Sequence, residues 1–351
     1  SLLSVPTATS TIASLGDISN ESPRGHYQRV TTDLRKTIAK ETRHAASGLR
    51  DEIRALQEAH QHMRDGQRDL RREVRLLRAV IAANTTHRLE QHASAMDPVQ
   101  IRPHVASAIA AAHMELTPTP HLVVEDVFPA ATYLALLAAT PPDECFSDRD
   151  AIKQNFRYAP DKIVPDVTAA MWSLMERDII PTALVPSILG RFRPHIEAVY
   201  QERHGARAAE VLAVPHAATA GRLLLRRPGY HLDPHLDPQR AVVTCLLYLA
   251  NPGDSPEHGT QLFSLNATPE VTGTKTFYPD QAGYVSTLVK TVPFRPNTAL
   301  AFMNSGAAAH GATIPASAPA DTKRYAYQFY ISPEPRQLSS IIGGTPDDQL
   351  N

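Results

Sequence analysis

Two His-x-Asp pairs, His231/Asp233 and His235/Asp237, follow one another directly ahead of an apolar run, Ala241 to Leu249. In a strand-like segment residues i and i+2 project from the same face. The imidazole and carboxylate of one pair can therefore reach a single metal ion together. Much further along, His310 lies within Ala-Ala-Ala-His-Gly-Ala and is a candidate third ligand, its small neighbours letting the backbone come close to a metal. Two imidazoles and one carboxylate on one side of an ion, with the other positions open, suit non-haem Fe(II) that activates oxygen. Taken alone, His310 reads as a loop histidine, one of 16 in the chain; the upstream motif is what singles it out.

The elements that must position these groups fall in the C-terminal half. From Arg222 onward short apolar runs alternate with Gly, Pro and Asn, and strands are expected at 222–227, 241–249, 260–264, 284–291, 298–303 and 323–331. Several short strands with turn signals between them imply an all-β sandwich or barrel, with apolar inner faces and a mouth for a ligand. Ahead of it, His121 to Pro129 reads as a strand and turn, followed by a helix over about 131–139. Residues 149–204 carry helical periodicity, with Met171, Trp172, Leu174 and Met175 as core. Phe156-Arg-Tyr158 reads either as a pocket border or as a loop packed on the core. Val105 to His113 reads as a short helix.

The N-terminal part has a different texture. Residues 1–27 are rich in Ser, Thr, Gly and Pro and read as a flexible lead-in. Residues 28–96 predict a long helix or two, and from about Asp33 to His92 they are rich in Arg, Glu, Ala, Leu and Gln without proline. Leu49, Ile53, Leu56, His60, Met63, Gln67, Leu70, Val74, Leu77 and Ile81 alternate at spacings of four and three. This is a heptad seam with Leu or Met at every d position, a pattern that favours two parallel strands. A homo-oligomer through residues 49–81 is one expectation; a single amphipathic helix lying on the rest of the chain is the other. The Arg-rich flank at Arg71, Arg72, Arg75 and Arg78 reads as a solvated face.

Composition narrows the function class. With 351 residues the chain can bury one large core plus an appendage. Lys+Arg 35 against Asp+Glu 36 gives no basic excess to bind nucleic acid. The two cysteines, Cys145 and Cys245, make no disulfide framework and read as buried free thiols. There is no apolar run of membrane-spanning length and no clear secretory signal, so a cytoplasmic location is expected.

Residues 221–331 resemble the double-stranded β-helix (jelly-roll) core of the 2-oxoglutarate- and Fe(II)-dependent dioxygenases, in particular the prolyl-hydroxylase-like branch. The resemblance rests on Gly229-Tyr230, Pro234-His235-Leu236-Asp237, the strand Val242 to Leu249, Gly259-Thr-Gln-Leu-Phe263, Asn304 to His310, and Arg324. It implies an α+β chain: a jelly-roll core at 221–335, a mainly helical support region at 97–220, the long helix or coiled coil before them, and a tail at 336–351. The family's spacing selects His235 and Asp237 over His231 and Asp233 and, with His310, implies Fe(II) as the metal. The resemblance also implies 2-oxoglutarate as co-substrate, O2, and ascorbate as reductant. A carboxylate at Asp237 argues for hydroxylation or another oxidation, since related halogenases carry a small residue there. Arg324 is expected to hold the far carboxylate of 2-oxoglutarate, because a guanidinium meets a carboxylate with two parallel hydrogen bonds. By strand alternation Arg324, Ala326 and Gln328 share a face, and Lys323 points the other way. Tyr230, Thr244 and Tyr248 are secondary candidates, with core packing equally open for each.

The implied reaction is oxidative decarboxylation of 2-oxoglutarate coupled to oxidation of a small-molecule or peptidyl substrate. A zinc hydrolase using the same three ligands is one alternative, but it leaves Arg324 unexplained and lacks an evident general base. A non-catalytic coiled-coil assembly protein with a degenerate jelly roll is another. The fold by itself does not choose the substrate.

Overall fold

The computed structural model describes residues 23–147, 150–270 and 275–343. Most of the lead-in read over 1–27, and the end of the tail read over 336–351, lie outside the described residues. Chain contacts divide the protein into two units, residues 1–71 and 72–351.

The described part of the first unit is helical. Helix α1 (Pro23–Thr86) is continuous over 64 residues, about 96 Å at 1.5 Å per residue. It begins at Pro23, earlier than the composition suggested, because proline is well suited to a first helical turn. The heptad residues line one exposed stripe, with Leu56 at 70% and Ile81 at 66% exposure.

The second unit carries everything else. After α1 come a short helix α2 (Leu89–His92), a tight turn over Ala93–Met96 and helix α3 (Pro98–Ala111). Asp97 caps α3, accepting from the Val99 amide. Then follow β1 (Met114–Glu115), β2 (His121–Val124), α4 (Ala130–Ala138) and β3 (Lys153–Phe156). Next are α5 (Asp166–Leu174), a wide helical stretch over Met175–Leu184 that contains Pro181, α6 (Val185–His204) and α7 (Ala208–Ala213). Eight strands complete the sheets: β4 (His216–Arg226), β5 (His231–His235), β6 (Val243–Tyr248), β7 (Thr260–Leu265), β8 (Ser286–Val292), β9 (Thr298–Met303), β10 (Ala308–Thr313) and β11 (Arg324–Pro333). Helix α8 (Pro335–Ile342) closes the described chain.

The strands form two antiparallel sheets. The larger has the order β1-β2-β9-β6-β11-β4-β3, the smaller β5-β10-β7-β8. From β4 to β11 the chain passes back and forth between the two sheets, so residues distant in sequence meet across them. Strand parity assigns the faces. On β4, β6, β9 and β11 odd-numbered residues, such as Leu223, Val243, Cys245, Tyr327 and Phe329, pack with Trp172, Phe192 and Leu136 of the helices in one core. Even-numbered residues, such as Leu224, Leu246, Leu300 and Ala326, pack with Leu262 and Val292 of the small sheet in a second core. Trp172 is packing: its ring stacks on Tyr327 at 4.7 Å and its indole N–H donates to the Ala139 carbonyl. Among the described residues no helix is long and apolar enough to cross a membrane.

Four sequence expectations are corrected. The helical reading of 149–204 fails at Lys153–Phe156, which is edge strand β3 on β4; Lys-Gln-Asn-Phe has no apolar alternation, and pairing creates the strand. His310 lies inside β10 rather than in a loop, because that strand is flanked by β5 and β7 on both sides. Strand β4 starts at His216, ahead of the expected 222. The tail begins with a helix, capped by Glu334, whose carboxylate accepts from the Arg336 and Gln337 amides.

Candidate metal centre

Strands β5 and β10 lie side by side with His235 directly opposite His310. The register places two imidazoles together, with ring centroids 4.1 Å apart. Gly311 makes the approach possible: a Cβ there would sit 2.6 Å from the Leu232 carbonyl oxygen, too close for any side chain. Pro234 fits β5 because this is the edge strand of the small sheet and the missing N–H costs little there. Phe302 covers His310, with centroids 4.6 Å apart, and Tyr278 lies 5.7 Å from His235.

Asp237 completes the cluster from the segment just after β5. Its Oδ1 is 3.8 Å from His235 Nε2 and its Oδ2 is 3.4 Å from His310 Nε2. All three residues are buried, and one ligand atom from each lies within 4.8 Å of the others. The backbone around Asp237 is fastened by a single side chain. Asn304 Oδ1 accepts from the Asp237 amide, and Asn304 Nδ2 donates to the carbonyls of Asp237, Pro238 and Ala241. The carboxylate is held by two hydroxyls: Thr244 donates to Oδ2 at 2.6 Å and Tyr330 to Oδ1 at 2.9 Å.

Protonation suits a cation. Burial, reinforced by the neighbouring His235, pushes the His310 pKa down to about 3, so its imidazole is neutral at physiological pH. Burial alone would raise the Asp237 pKa; the adjacent histidines and the two hydroxyls outweigh it and hold the carboxyl below its usual range. Tyr330 is pushed up by burial and by Asp237, so it remains a donor. His235 Nδ1 lies 3.0 Å from the Asp233 carbonyl; a carbonyl only accepts, so Nδ1 is the donor and Nε2 is the ring atom turned towards the cluster. Two imidazoles and one carboxylate, buried and already oriented by surrounding hydrogen bonds, fit a divalent transition metal.

The other His-x-Asp pair stays apart. His231 Nε2 bonds Asp233 Oδ1 at 2.9 Å and His231 Nδ1 lies 3.0 Å from Thr313 Oγ1. Both side chains are exposed.

A cavity of ≈ 140 Å³ opens beside the cluster, lined in part by His235, Asp237, His310, Tyr230 and Arg324. Arg324 is buried at 3% exposure. Its Nε donates to the His258 carbonyl at 2.6 Å and its Nη2 to Thr260 Oγ1 at 3.3 Å. The guanidinium lies over the rings of Tyr248 and Phe294, at 5.4 and 5.2 Å. Lys323 points away and pairs with Asp143 at 2.8 Å. Tyr230 lies on the wall, with its ring 4.9 Å from the Arg226 guanidinium carbon. Thr244 turns its hydroxyl to Asp237.

Sequence reasoning missed Asn304 as a positioning residue, along with Tyr330, Arg222 and Arg226. Even-numbered parity on β4 and β11 was the available signal for the last three, since it places Arg222, Arg226, Gln328 and Tyr330 on the face that bears Arg324. Asn304 had no such signal, because its carbonyl partners meet it only in the folded chain.

No protein-family model matches the chain, and no curated protein matches it by sequence. Among solved structures, HygX from Streptomyces hygroscopicus with nickel, 2-oxoglutarate and hygromycin B bound is similar at TM-score 0.34 and 15% identity, over 61% of this chain and 82% of that one. A Pseudomonas putida prolyl-4-hydroxylase is similar at TM-score 0.31 and 18% identity, over 66% of this chain and 99% of that one. A Trichoplax adhaerens prolyl hydroxylase in complex with a hypoxia inducible factor peptide fragment is similar at TM-score 0.34 and 15% identity, over 73% and 99%. The solved structures that this chain resembles are thus 2-oxoglutarate- and iron-dependent oxygenases, prolyl hydroxylases among them.

Proposed function

We propose that the chain is an Fe(II)- and 2-oxoglutarate-dependent oxygenase that hydroxylates a small-molecule or peptidyl substrate, with release of succinate and CO2. The observation that carries this reading is the convergence of His235, Asp237 and His310 on one buried point beside a cavity that also contains the Arg324 guanidinium. We read the passage of the chain between the two sheets as the winding of a jelly roll, with 221–335 as its functional core and 97–220 as its support.

In this reading His235 Nε2, His310 and Asp237 hold Fe(II), which when bound supplies oxygen activation driven by oxidation of 2-oxoglutarate. The remaining work belongs to the protein. The Asp233 carbonyl keeps the His235 proton on Nδ1 and the lone pair on Nε2. Thr244 and Tyr330 orient the carboxylate, and Asn304 fixes the backbone that carries it. Arg324, with its Nε and one Nη2 hydrogen engaged, offers the Nη1 side of its fork to the far carboxylate of 2-oxoglutarate. Tyr248 and Phe294 flank that cation with apolar surface, which strengthens its attraction for an anion. Tyr230 lines the same wall. A zinc hydrolase needs no such cation.

We further infer that the stripe from Leu49 to Ile81 pairs two copies of the chain in a parallel coiled coil. A reducing compartment such as the cytoplasm suits ferrous iron and two free cysteines. The test is direct. Purified protein with Fe(II), ascorbate and 2-oxoglutarate is expected to form succinate slowly even without substrate; zinc-loaded protein is not. His235→Ala abolishes succinate formation, and Arg324→Gln mainly raises the 2-oxoglutarate concentration required. Failure of calorimetry to detect uptake of a divalent metal rejects the reading.

A further inference from the structure

Arg324 is not the only cation in its cavity. Arg222, Arg226 and Lys153 line the same space. Strand register sets three of the four in a single row across the large sheet: Lys153 on β3 is opposite Arg226 on β4, which is opposite Arg324 on β11. Arg222 lies four residues back along β4, opposite Gln328. Like charges directly across strands destabilise a sheet, so this arrangement carries a cost in the ligand-free fold.

Internal carboxylates do not relieve it. Arg226 is 4% exposed, and its Nη1 and Nη2 donate to neutral acceptors, the Gln154 and Leu225 carbonyls and Asn155 Oδ1. Its Nε is buried and, among the described residues, has no hydrogen-bond partner of good geometry, with the Tyr230 side chain beside the guanidinium. Arg222 places Nε and Nη2 on Gln328 Oε1 and reaches the Tyr330 hydroxyl at 3.4 Å. Through Tyr330 it stands one side chain away from Asp237. Arg324 likewise donates to a carbonyl and a hydroxyl. Among the described residues, Asp237 is the one carboxylate lining the cavity, and it belongs to the metal cluster. Four cations and a divalent metal exceed one carboxylate and a 2-oxoglutarate dianion by three charges. A further anion reduces that excess.

We propose that Arg222, Arg226 and Lys153 form an oxyanion subsite for the primary substrate, which therefore carries a carboxylate or phosphate group close to the carbon that is oxidised. This rests on the oxygenase reading and adds the substrate class to it. Arg222 is the specificity residue nearest the metal cluster. Lys153, exposed on the edge strand β3, receives the anion at the mouth. Arg226 ties β3 to β4 and presents its buried Nε.

The test uses the full chain with Mn(II) as a redox-inert metal and saturating 2-oxoglutarate, so that the co-substrate's own anion positions are filled. Calorimetry then compares matched probes: glycerol 3-phosphate against glycerol, and N-acetylaspartate against N-acetylasparagine. The anionic member of at least one pair is expected to bind saturably, its neutral partner not, and which pair responds separates phosphate from carboxylate. Loss of one charge-assisted contact is expected to weaken that binding about tenfold in Arg222→Gln and in Lys153→Gln. In the same variants 2-oxoglutarate affinity changes far less than in Arg324→Gln. Lys153→Gln, on an exposed edge, tests the subsite even where Arg222→Gln disturbs folding. Equal binding of anionic and neutral probes, no anion binding at millimolar concentration, or an Arg222→Gln loss of 2-oxoglutarate equal to that of Arg324→Gln overturns the proposal. Should the wild type with Mn(II) take up no 2-oxoglutarate, the oxygenase reading falls separately; uptake of the anionic probe that is weakened in both variants still upholds the subsite.

Discussion

His231/Asp233 and His235/Asp237 are the same three-residue motif repeated four residues apart, yet the fold treats them oppositely. The side chains of the first pair are 60% and 55% exposed and bond to each other; those of the second are 6% and 3% exposed. Alternation alone does not separate them, since all four positions have the same parity. What differs is the surroundings. His235 faces His310 across the strand pair, and Asp237 meets Thr244, Tyr330 and Asn304. His231 faces Thr313 at the far end of the register. An exposed side-chain pair of this kind contributes on the order of 0–1 kcal/mol. A buried carboxylate held by hydroxyls and flanked by imidazoles is costly to leave unpaired and therefore selects for a cation.

The comparison breaks most visibly by removing ligands. Asp237→Ala or His235→Ala is expected to abolish metal uptake and, with it, the metal-induced rise in melting temperature, which for a ligand at about a hundred times its Kd corresponds to roughly 2.7 kcal/mol. His231→Ala is expected to retain both. Calorimetry and thermal unfolding with and without metal read the contrast; comparable loss in the two pairs would mean that the first also serves the metal. The next largest effect is at Asn304. Asn304→Ala removes four hydrogen bonds to the Asp237–Ala241 segment and leaves buried backbone groups unpaired, an expected cost of about 2–4 kcal/mol in chemical unfolding, together with weaker metal binding.

The residues of the cluster were legible in the sequence because their chemistry is rare and their order is informative. Strand parity placed Arg324 on the same face as Ala326 and Gln328, and its expected role came from the resemblance. The elements that bring them together were less so. Ala-Ala-His-Gly-Ala has little intrinsic strand preference, and β10 exists because two partners flank it. Strand β3 is likewise a product of pairing with β4. The polar inner row formed by Lys153, Arg226 and Arg324 was hidden for the same reason: Lys153 was read as helical, so no register connected it to β4. Helix α1 could be read directly, since its pattern is local.

Smaller effects sharpen the contrast. Tyr330→Phe and Thr244→Val each remove one hydroxyl from Asp237 while leaving the ligand set intact. Second-layer groups of this kind are worth roughly tenfold or more in metal affinity, and both variants are expected to weaken Mn(II) binding by about that factor, whereas Thr313→Val, which removes the hydroxyl beside His231, leaves it unchanged. Titration of the three variants side by side checks this.

The smallest expected effect is the most diagnostic. Asp233 contributes two different groups: its carboxylate bonds exposed His231, and its backbone carbonyl lies 3.0 Å from His235 Nδ1. Asp233→Asn alters the first and keeps the second. Stability is therefore expected to change by less than about 1 kcal/mol, and Mn(II) affinity to remain at the wild-type value, both read from unfolding and calorimetry on one preparation. A clear loss of metal affinity in Asp233→Asn would show that the first pair acts on the second through charge. Retention means that it supports the metal cluster only through its main chain, with the carbonyl that fixes the His235 tautomer.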